Sequence, residues 1–203
     1  MVRGNLYIGF LRVLRDDLPA TKGSPVNGIG WTELMTSRDG KNWARHQDRF
    51  LDRNPVEGAW DHAFAWFADS IQVGDKEYVY YGGYSHGHKV GEREVGLGFL
   101  RQNGFVSRDA GSAEGFLRTP PVIFNGSAIK VNANVKGQIV VRITDEHGKP
   151  LQGFDWKDCH PVQGDSLRHA LKWKSNDISF VNNKPVRLQF RLHNAQLYSL
   201  DVI

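Results

Sequence analysis

Apolar and polar residues alternate along much of this chain, and the periodicity of amphipathic helices is almost absent. Successive side chains of a β-strand point to opposite faces, so this alternation predicts half-buried strands. The clearest example covers residues 186–192, where arginine and glutamine separate four apolar residues, Val186, Leu188, Phe190 and Leu192. The pattern therefore predicts an all-β protein.

The region before residue 186 contains two more alternating segments, at 129–135 and 139–143. They are separated by Lys136 and Gly137, and a glycine-bearing step between two alternating segments is typical of a β-hairpin. We therefore expect the two segments to form adjacent antiparallel strands.

The N-terminal half carries shorter strand signals separated by turns that contain glycine. They cover residues 6–13, 30–36, 43–46, 67–73, 77–84, 94–100 and 105–108. Six Trp, six Tyr, eleven Phe and 22 Gly fit this pattern, because aromatic residues favour strands and glycine favours turns. Successive hairpins of this kind predict an antiparallel meander like that of propeller blades.

The composition changes between Gly115 and Pro121, where longer alternating segments replace the short hairpins. The pair Pro120-Pro121 stiffens the chain and interrupts strand pairing. We predict two domains, a partial propeller-like antiparallel meander over residues 1–113 and an antiparallel β-sandwich over residues 114–203.

Bulk properties narrow the classes of partner. The 26 basic and 22 acidic residues are scattered and sum to a net charge of +4, so we expect no nucleic-acid partner. No apolar segment is long enough for a membrane span, and the N-terminus lacks a signal-peptide pattern. The single cysteine, Cys159, rules out an internal disulfide but leaves the cellular compartment open.

Several segments together resemble a known family. They are SRDGKNWARH (37–46), WDHAFAWFADSIQVGDKEYVYYGGYSHGHK (60–89), REVGLGFLRQNGFVSRDAG (93–111), and the C-terminal LQGFDWKDCHPVQGD and KPVRLQFRLHNAQLYSL. These segments resemble the last part of five-bladed β-propeller proteins related to glycoside hydrolase family 32, in which a β-sandwich follows the propeller. The resemblance implies a carbohydrate-related function, with fewer than two blades present in this chain.

The resemblance does not extend to catalytic residues. The family's carboxylate motifs, an Asn-Asp-Pro-Asn-Gly stretch, an Arg-Asp-Pro and a Glu-Cys pair, have no match here. We therefore expect no glycosidase activity from this chain alone, and its catalytic residues are unknown. The alternatives are a non-catalytic carbohydrate-binding module, an oligomeric structural or interaction protein that assembles through exposed blade edges, and a metal-dependent enzyme.

A first group of candidate site residues lies before the strand signal at 67–73. Glu57, Trp60 and Asp61 combine an aromatic ring with two carboxylates. The ring can stack on the C–H groups of a sugar while carboxylates accept hydrogen bonds from its hydroxyls. The alternative is structural, with Trp60 burying the loop and Asp61 capping a turn.

A second group, His86, His88, Lys89 and Arg93, follows the strand signal at 77–84. These residues could form a cationic, hydrogen-bonding patch for a glycan, or they could belong to a solvated loop. A His-x-His spacing can also hold a metal, but no third ligand is defined by spacing, so we predict no metal and no cofactor.

Asp39 and Cys159 are assigned structural roles. Asp39 lies in the turn SRDGKNW, where its carboxylate can accept hydrogen bonds from backbone amides and Gly40 can adopt a positive φ. Cys159 precedes His160 directly, and adjacent residues of an extended chain point to opposite faces. We therefore expect a buried thiol rather than a nucleophile with its base.

Overall fold

The computed structural model describes residues 1–88, 90, 93–174 and 177–203 of the chain. These residues form an all-β protein with twelve strands and two short 3-10 helices, Trp156–Asp158 and Ile178–Val181. No helix within these ranges has the length and apolar character needed to cross a membrane. The chain divides into two compact units, Met1–Gln102 and Asn103–Ile203.

The first unit contains seven strands in one sheet. Their bounds are β1 Val2–Arg3, β2 Leu6–Pro19, β3 Asn27–Ser37, β4 Ala44–Leu51, β5 Phe64–Val73, β6 Lys76–Tyr84 and β7 Arg93–Arg101. Strands β1 to β4 form one antiparallel group and β5 to β7 form another. A single parallel bridge between Gly30 and Phe64 joins the two groups.

Side chains reinforce the contact between the two groups. The rings of Phe10 on β2 and Phe67 on β5 are stacked with 3.5 Å between their centroids. The buried hydroxyl of Thr32 donates to the carbonyl oxygen of Ala65 at 3.1 Å and accepts from the amide of Phe67 at 2.9 Å. Because Thr32 has no exposed surface, these bonds satisfy a polar group that would otherwise be costly to bury.

The second unit contains five strands, β8 Arg108–Ala110, β9 Gly115–Arg118, β10 Ile129–Asp145, β11 Val162–Ala170 and β12 Val186–Val202. They form one sheet with the order β11, β10, β12, β8, and β9 also pairs with β12. The alternation in the sequence defines their buried face. The four apolar residues of 186–192 are between 0% and 3% exposed, which confirms that strand and its inward face.

The predicted hairpin at Lys136-Gly137 is wrong. Residues 129–145 form one continuous strand, β10, which pairs with the equally long β12 on both sides of an irregularity between Val135 and Gln138. Gly137 is needed there because an added Cβ would lie 2.7 Å from Nδ1 of His193. The glycine therefore marks a bulge with close backbone approach rather than a turn.

The predicted strand at 105–108 is also displaced. Residues 105–107 are not in a strand, and β8 pairs with β12 of the second unit instead of extending the β5 to β7 group. Ala110 on β8 packs against the apolar core of the second unit, which explains this pairing. Along the chain, the first unit ends at Gln102 and the second begins at Asn103, whereas the sequence predicted a boundary between residues 113 and 114. The propeller and sandwich architectures stay predictions.

The structural roles assigned to Asp39 and Cys159 are confirmed. Oδ1 of Asp39 accepts hydrogen bonds from the amides of Lys41 and Asn42 at 2.8 and 2.7 Å, and Gly40 has a φ of 70°. These bonds hold the pKa of Asp39 well below its usual range. Cys159 is 4% exposed, and burial raises the pKa of its thiol.

Candidate functional site

The first group of candidate residues lies on a loop, residues 52–63, that leads into β5. Hydrogen bonds within the loop fix its path, including the amide of Asn54 to the carbonyl oxygen of Asp61 at 3.1 Å. The buried ring of His62 lies with Nδ1 2.8 Å from the carbonyl oxygen of Asn54 and Nε2 3.1 Å from that of Ala20. Arg53 donates to the carbonyl oxygen of His62 at 2.9 Å. The loop is therefore tied to its own start and to the end of β2.

Trp60 packs over two glycines of the sheet, Gly83 and Gly96. An added Cβ on Gly83 would lie 2.7 Å from Cε3 of Trp60, and one on Gly96 would lie 2.7 Å from its Cη2. The indole therefore occupies space that side chains on β6 and β7 would fill. Its ring also stacks with Tyr81, with centroids 5.4 Å apart and an interplanar angle of 26°. Trp60 remains partly exposed, so the indole is held in place and is also accessible.

Asp61 is the most unusual polar group of this region. It is 8% exposed, and its Oδ2 accepts a hydrogen bond of 3.0 Å from the hydroxyl of Tyr81. Its Oδ1 is buried without a hydrogen-bond partner. Burial, with the bond to Asp61 as a smaller cause, raises the pKa of Tyr81 to about 12. The phenol therefore stays protonated at neutral pH and keeps donating to the carboxylate.

Glu57 lies in the same loop but is exposed. Near it, the amide of Ala59 donates to the carbonyl oxygen of Val56 at 3.2 Å, so a turn carries the chain from Glu57 towards Trp60. Glu57 therefore supplies a solvated carboxylate in the loop that carries the buried carboxylate of Asp61.

The second group of candidate residues lies at the same end of β5 to β7, but two of its members occupy the other face of this sheet. Arg93 pairs with Tyr84 in the ladder, bonds to its hydroxyl and lies over its ring at 5.1 Å. Gly83, next to Tyr84, faces Trp60, and neighbouring residues of a strand point to opposite faces. Arg93 is therefore separated from Trp60 by the thickness of the sheet.

His88 also lies on the face of Tyr84. Its ring is 5.8 Å from that of Phe64 and 6.0 Å from that of Trp66, and Phe64 is the ladder partner of Tyr84. An added Cβ on Gly28 would lie 2.7 Å from the amide nitrogen of His88, and Gly28 has a φ of 114°. A glycine is required at this position for both reasons, and His88 packs as part of an aromatic cluster.

The remaining members of the second group do not complete a cluster. His86 is exposed, and its Nδ1 lies 2.6 Å from the hydroxyl of the neighbouring Ser85. Lys89 lies outside the described residues. Across the part of the chain that is described, no group of three or more His, Cys, Asp or Glu side chains is arranged to hold a metal ion.

Sequence reasoning did not identify three residues that shape the Trp60 surface. Tyr81 orients Asp61, and Gly83 and Gly96 provide the floor under the indole. The sequence signal for these residues is the presence of glycines within strands, the adjacent pair Gly82-Gly83 in β6 and the alternating Gly96 and Gly98 in β7, since a glycine within a strand often marks close approach by another group. That signal does not specify which group approaches.

No protein-family model, no curated protein and no solved structure matches this chain. Its function is therefore inferred from the geometry of its own residues.

Proposed function

We propose that this chain is a carbohydrate-binding protein related to the family 32 propellers, and that its first unit binds a saccharide at Trp60 and Asp61. The proposal does not include His88 and Arg93, which lie on the other face of the sheet. The observation that carries it is the buried, unpaired Oδ1 of Asp61 beside a partly exposed indole.

The indole supplies the apolar part of the site. Gly83, Gly96 and Tyr81 hold the ring, so little side-chain entropy remains to be lost when a ligand stacks on it. Sugar rings present C–H groups on one face, and these groups pack well against an aromatic ring. A fixed and accessible indole therefore suits a pyranose or furanose ring.

The carboxylate supplies the polar part. Leaving a buried acceptor without a partner costs about 1–3 kcal/mol, which a hydroxyl from a ligand would recover. Tyr81 occupies Oδ2, so the hydroxyl would donate to Oδ1 of Asp61, and the loop would have to shift on binding because that oxygen is buried. The exposed carboxylate of Glu57 offers a second acceptor for a further hydroxyl.

The proposed activity is saccharide binding without hydrolysis, because two carboxylates near a sugar do not by themselves make a glycosidase. Hydrolysis requires one carboxyl group as acid and another as nucleophile or base on opposite sides of the scissile bond. The family's motifs for these roles have no match in this sequence. Asp61 is also occupied by Tyr81, which keeps it oriented as an acceptor.

Titration calorimetry against a panel of neutral and acidic oligosaccharides tests this proposal. We expect saturable binding that Trp60→Ala weakens by about 10-fold or more, in keeping with the loss of a main aromatic contact. Asp61→Asn should weaken binding as well, because the amide either loses the Tyr81 bond or replaces the free acceptor with a donor.

Trp43→Ala is the matched control, since Trp43 is a 42% exposed indole on the SRDGKNW turn of the same unit. Its substitution should leave binding unchanged. Absence of saturable binding across the panel, or equal binding by the parent and the Trp60→Ala and Asp61→Asn variants, would overturn the proposal. Glycan cleavage that is lost on changing Glu57 or Asp61 would contradict its non-catalytic part.

A further inference from the structure

Strand β7 forms an edge of the first unit's sheet and carries three exposed apolar side chains. Val95, Leu97 and Phe99 are 75%, 56% and 65% exposed. Among the strands of the described ranges, β7 pairs only with β6. Exposed apolar residues in one row on a sheet face usually indicate an interaction surface or an aggregation hazard.

The neighbouring strands extend this row into a patch. Tyr80 is 41% exposed and pairs with Leu97, and Ile71 is 54% exposed in the ladder row of Tyr78 and Phe99. Val73, at the end of β5, is 57% exposed. We call this surface the apolar face, formed by Ile71, Val73, Tyr80, Val95, Leu97 and Phe99.

We propose that the apolar face packs face to face against the same face of a second copy of this chain. Six such side chains leave on the order of 500 Å² of apolar surface open, near the upper end for a monomer. A stable dimer buries about 800 Å² per partner, and the polar residues around the patch supply the difference. The patch therefore has the size of a dimer core.

Charged side chains lie around the apolar face rather than at its centre. The cationic residues beside the patch lie at its ends, where Lys76 sits 4.3 Å over the ring of Phe99 and Arg93 lies over Tyr84. Tyr80 and Leu97 form the middle row of the apolar face. The acid in this row, Asp69, lies on β5 and pairs with Tyr80 on the side away from Leu97. A two-fold axis near this row brings apolar surface onto apolar surface and leaves the charges at the rim, as in most dimer interfaces.

Pairing through the β7 edge does not explain the patch as well. A β7 to β7 ladder would satisfy backbone groups, but it would extend the sheet sideways and leave the apolar face in water. Face-to-face packing of two sheets, about 10 Å apart, removes the whole patch from water. The apolar surface therefore favours stacking of the sheets over extension of the edge that the sequence predicts.

Analytical ultracentrifugation of the full chain over a concentration series is the first test. We expect a species of twice the 22.9 kDa chain mass at the higher concentrations. Phe99→Glu should weaken the dimer by about 100-fold or more, because it places a carboxylate in an apolar contact. Phe180→Glu is the matched control, since Phe180 is 62% exposed in the second unit, and it should leave dimerisation unchanged.

Cross-linking distinguishes the two geometries and does not depend on the folding of Phe99→Glu. Tyr80→Cys places a thiol on β6, which is not an edge strand because it lies between β5 and β7. The native Cys159 is buried, so the new thiol is the one that a cross-linker can reach. Opposed cysteines on sheets about 10 Å apart are too distant for a disulfide but within reach of a short bismaleimide. A covalent dimer of Tyr80→Cys supports face-to-face packing. A monomer at every concentration, or a dimer that Tyr80→Cys does not cross-link, overturns it.

Discussion

The ion pair between Arg3 and Glu77 allows a direct test of how the first unit is held together. Nη2 of Arg3, on β1, lies 2.7 and 2.9 Å from the two carboxylate oxygens of Glu77 on β6. The carboxylate has no exposed surface and accepts one further bond from Ser70 at 2.7 Å. Arg3→Ala removes the only cation that the structure places against this buried charge within the described residues.

The size of the effect follows from the difference in burial between the partners. Removing one partner of a buried pair costs about 3–5 kcal/mol, because the remaining charge is left without compensation. The side chain of Arg3 is 30% exposed, so water can enter the space it leaves. We therefore expect Arg3→Ala to lower the free energy of unfolding by about 3 kcal/mol, the lower end of this range.

Urea unfolding followed by tryptophan fluorescence measures this change, since Trp31, Trp43, Trp60 and Trp66 all lie in the first unit. With a slope of about 2 kcal/mol per molar urea, a loss of about 3 kcal/mol moves the midpoint by about 1.5 M. Arg15→Ala is the control, because Arg15 and Asp17 form a pair of 2.6 Å whose side chains are 48% and 57% exposed.

An exposed pair contributes little to stability, so Arg15→Ala should leave the midpoint almost unchanged. Adding Glu77→Gln to Arg3→Ala should recover part of the loss, since a buried amide costs less than a buried charge. Equal midpoints for Arg3→Ala and Arg15→Ala would refute the reasoning, because burial of Glu77 would then have no energetic consequence.

Three further predictions concern single residues. Tyr81 has its pKa raised to about 12 by burial, so its contribution to stability is complete below pH 10 and is lost as the pH rises through 12. An absorbance titration should show one phenol that ionises late and is missing in Tyr81→Phe. Gly137→Ala should lower the thermal midpoint, whereas Gly98→Ala, whose added Cβ would meet no atom within 4 Å, should not. Cys159 should react with a thiol reagent only after denaturant unfolds the chain, and fast labelling of the native protein would contradict its burial.

Local patterns predicted the strands well because alternation is a property of neighbouring residues. Val186 and Leu188 could be placed on a buried face from the sequence alone, and both are at most 1% exposed. The predicted hairpin at Gly137 is wrong because the conformation of this segment depends on a partner strand that is distant in the sequence. Strand β12 is long enough to pair along all of β10, and this cannot be read from residues 129–145.

The candidate site shows the same limit. Both predicted loops lie at one end of β5 to β7, as expected for segments that flank paired strands. The face on which each side chain lies depends on the register, and a shift of one residue would exchange the faces. Sequence reasoning proposed glycan contacts for Trp60 and also for His88 and Arg93, although the ladder places them on opposite faces of the sheet.

Strand β6 connects the two proposals and also allows them to be tested apart. Tyr80 belongs to the apolar face, while its neighbour Tyr81 points to the other face and bonds to Asp61. Tyr80→Glu should therefore disrupt the dimer and leave saccharide binding intact, whereas Tyr81→Phe should weaken binding and leave the dimer intact. If Tyr80→Glu abolished both in a folded protein, the saccharide site would require the second copy. In that case the apolar face and the saccharide site would be coupled through β6 and would not be independent surfaces.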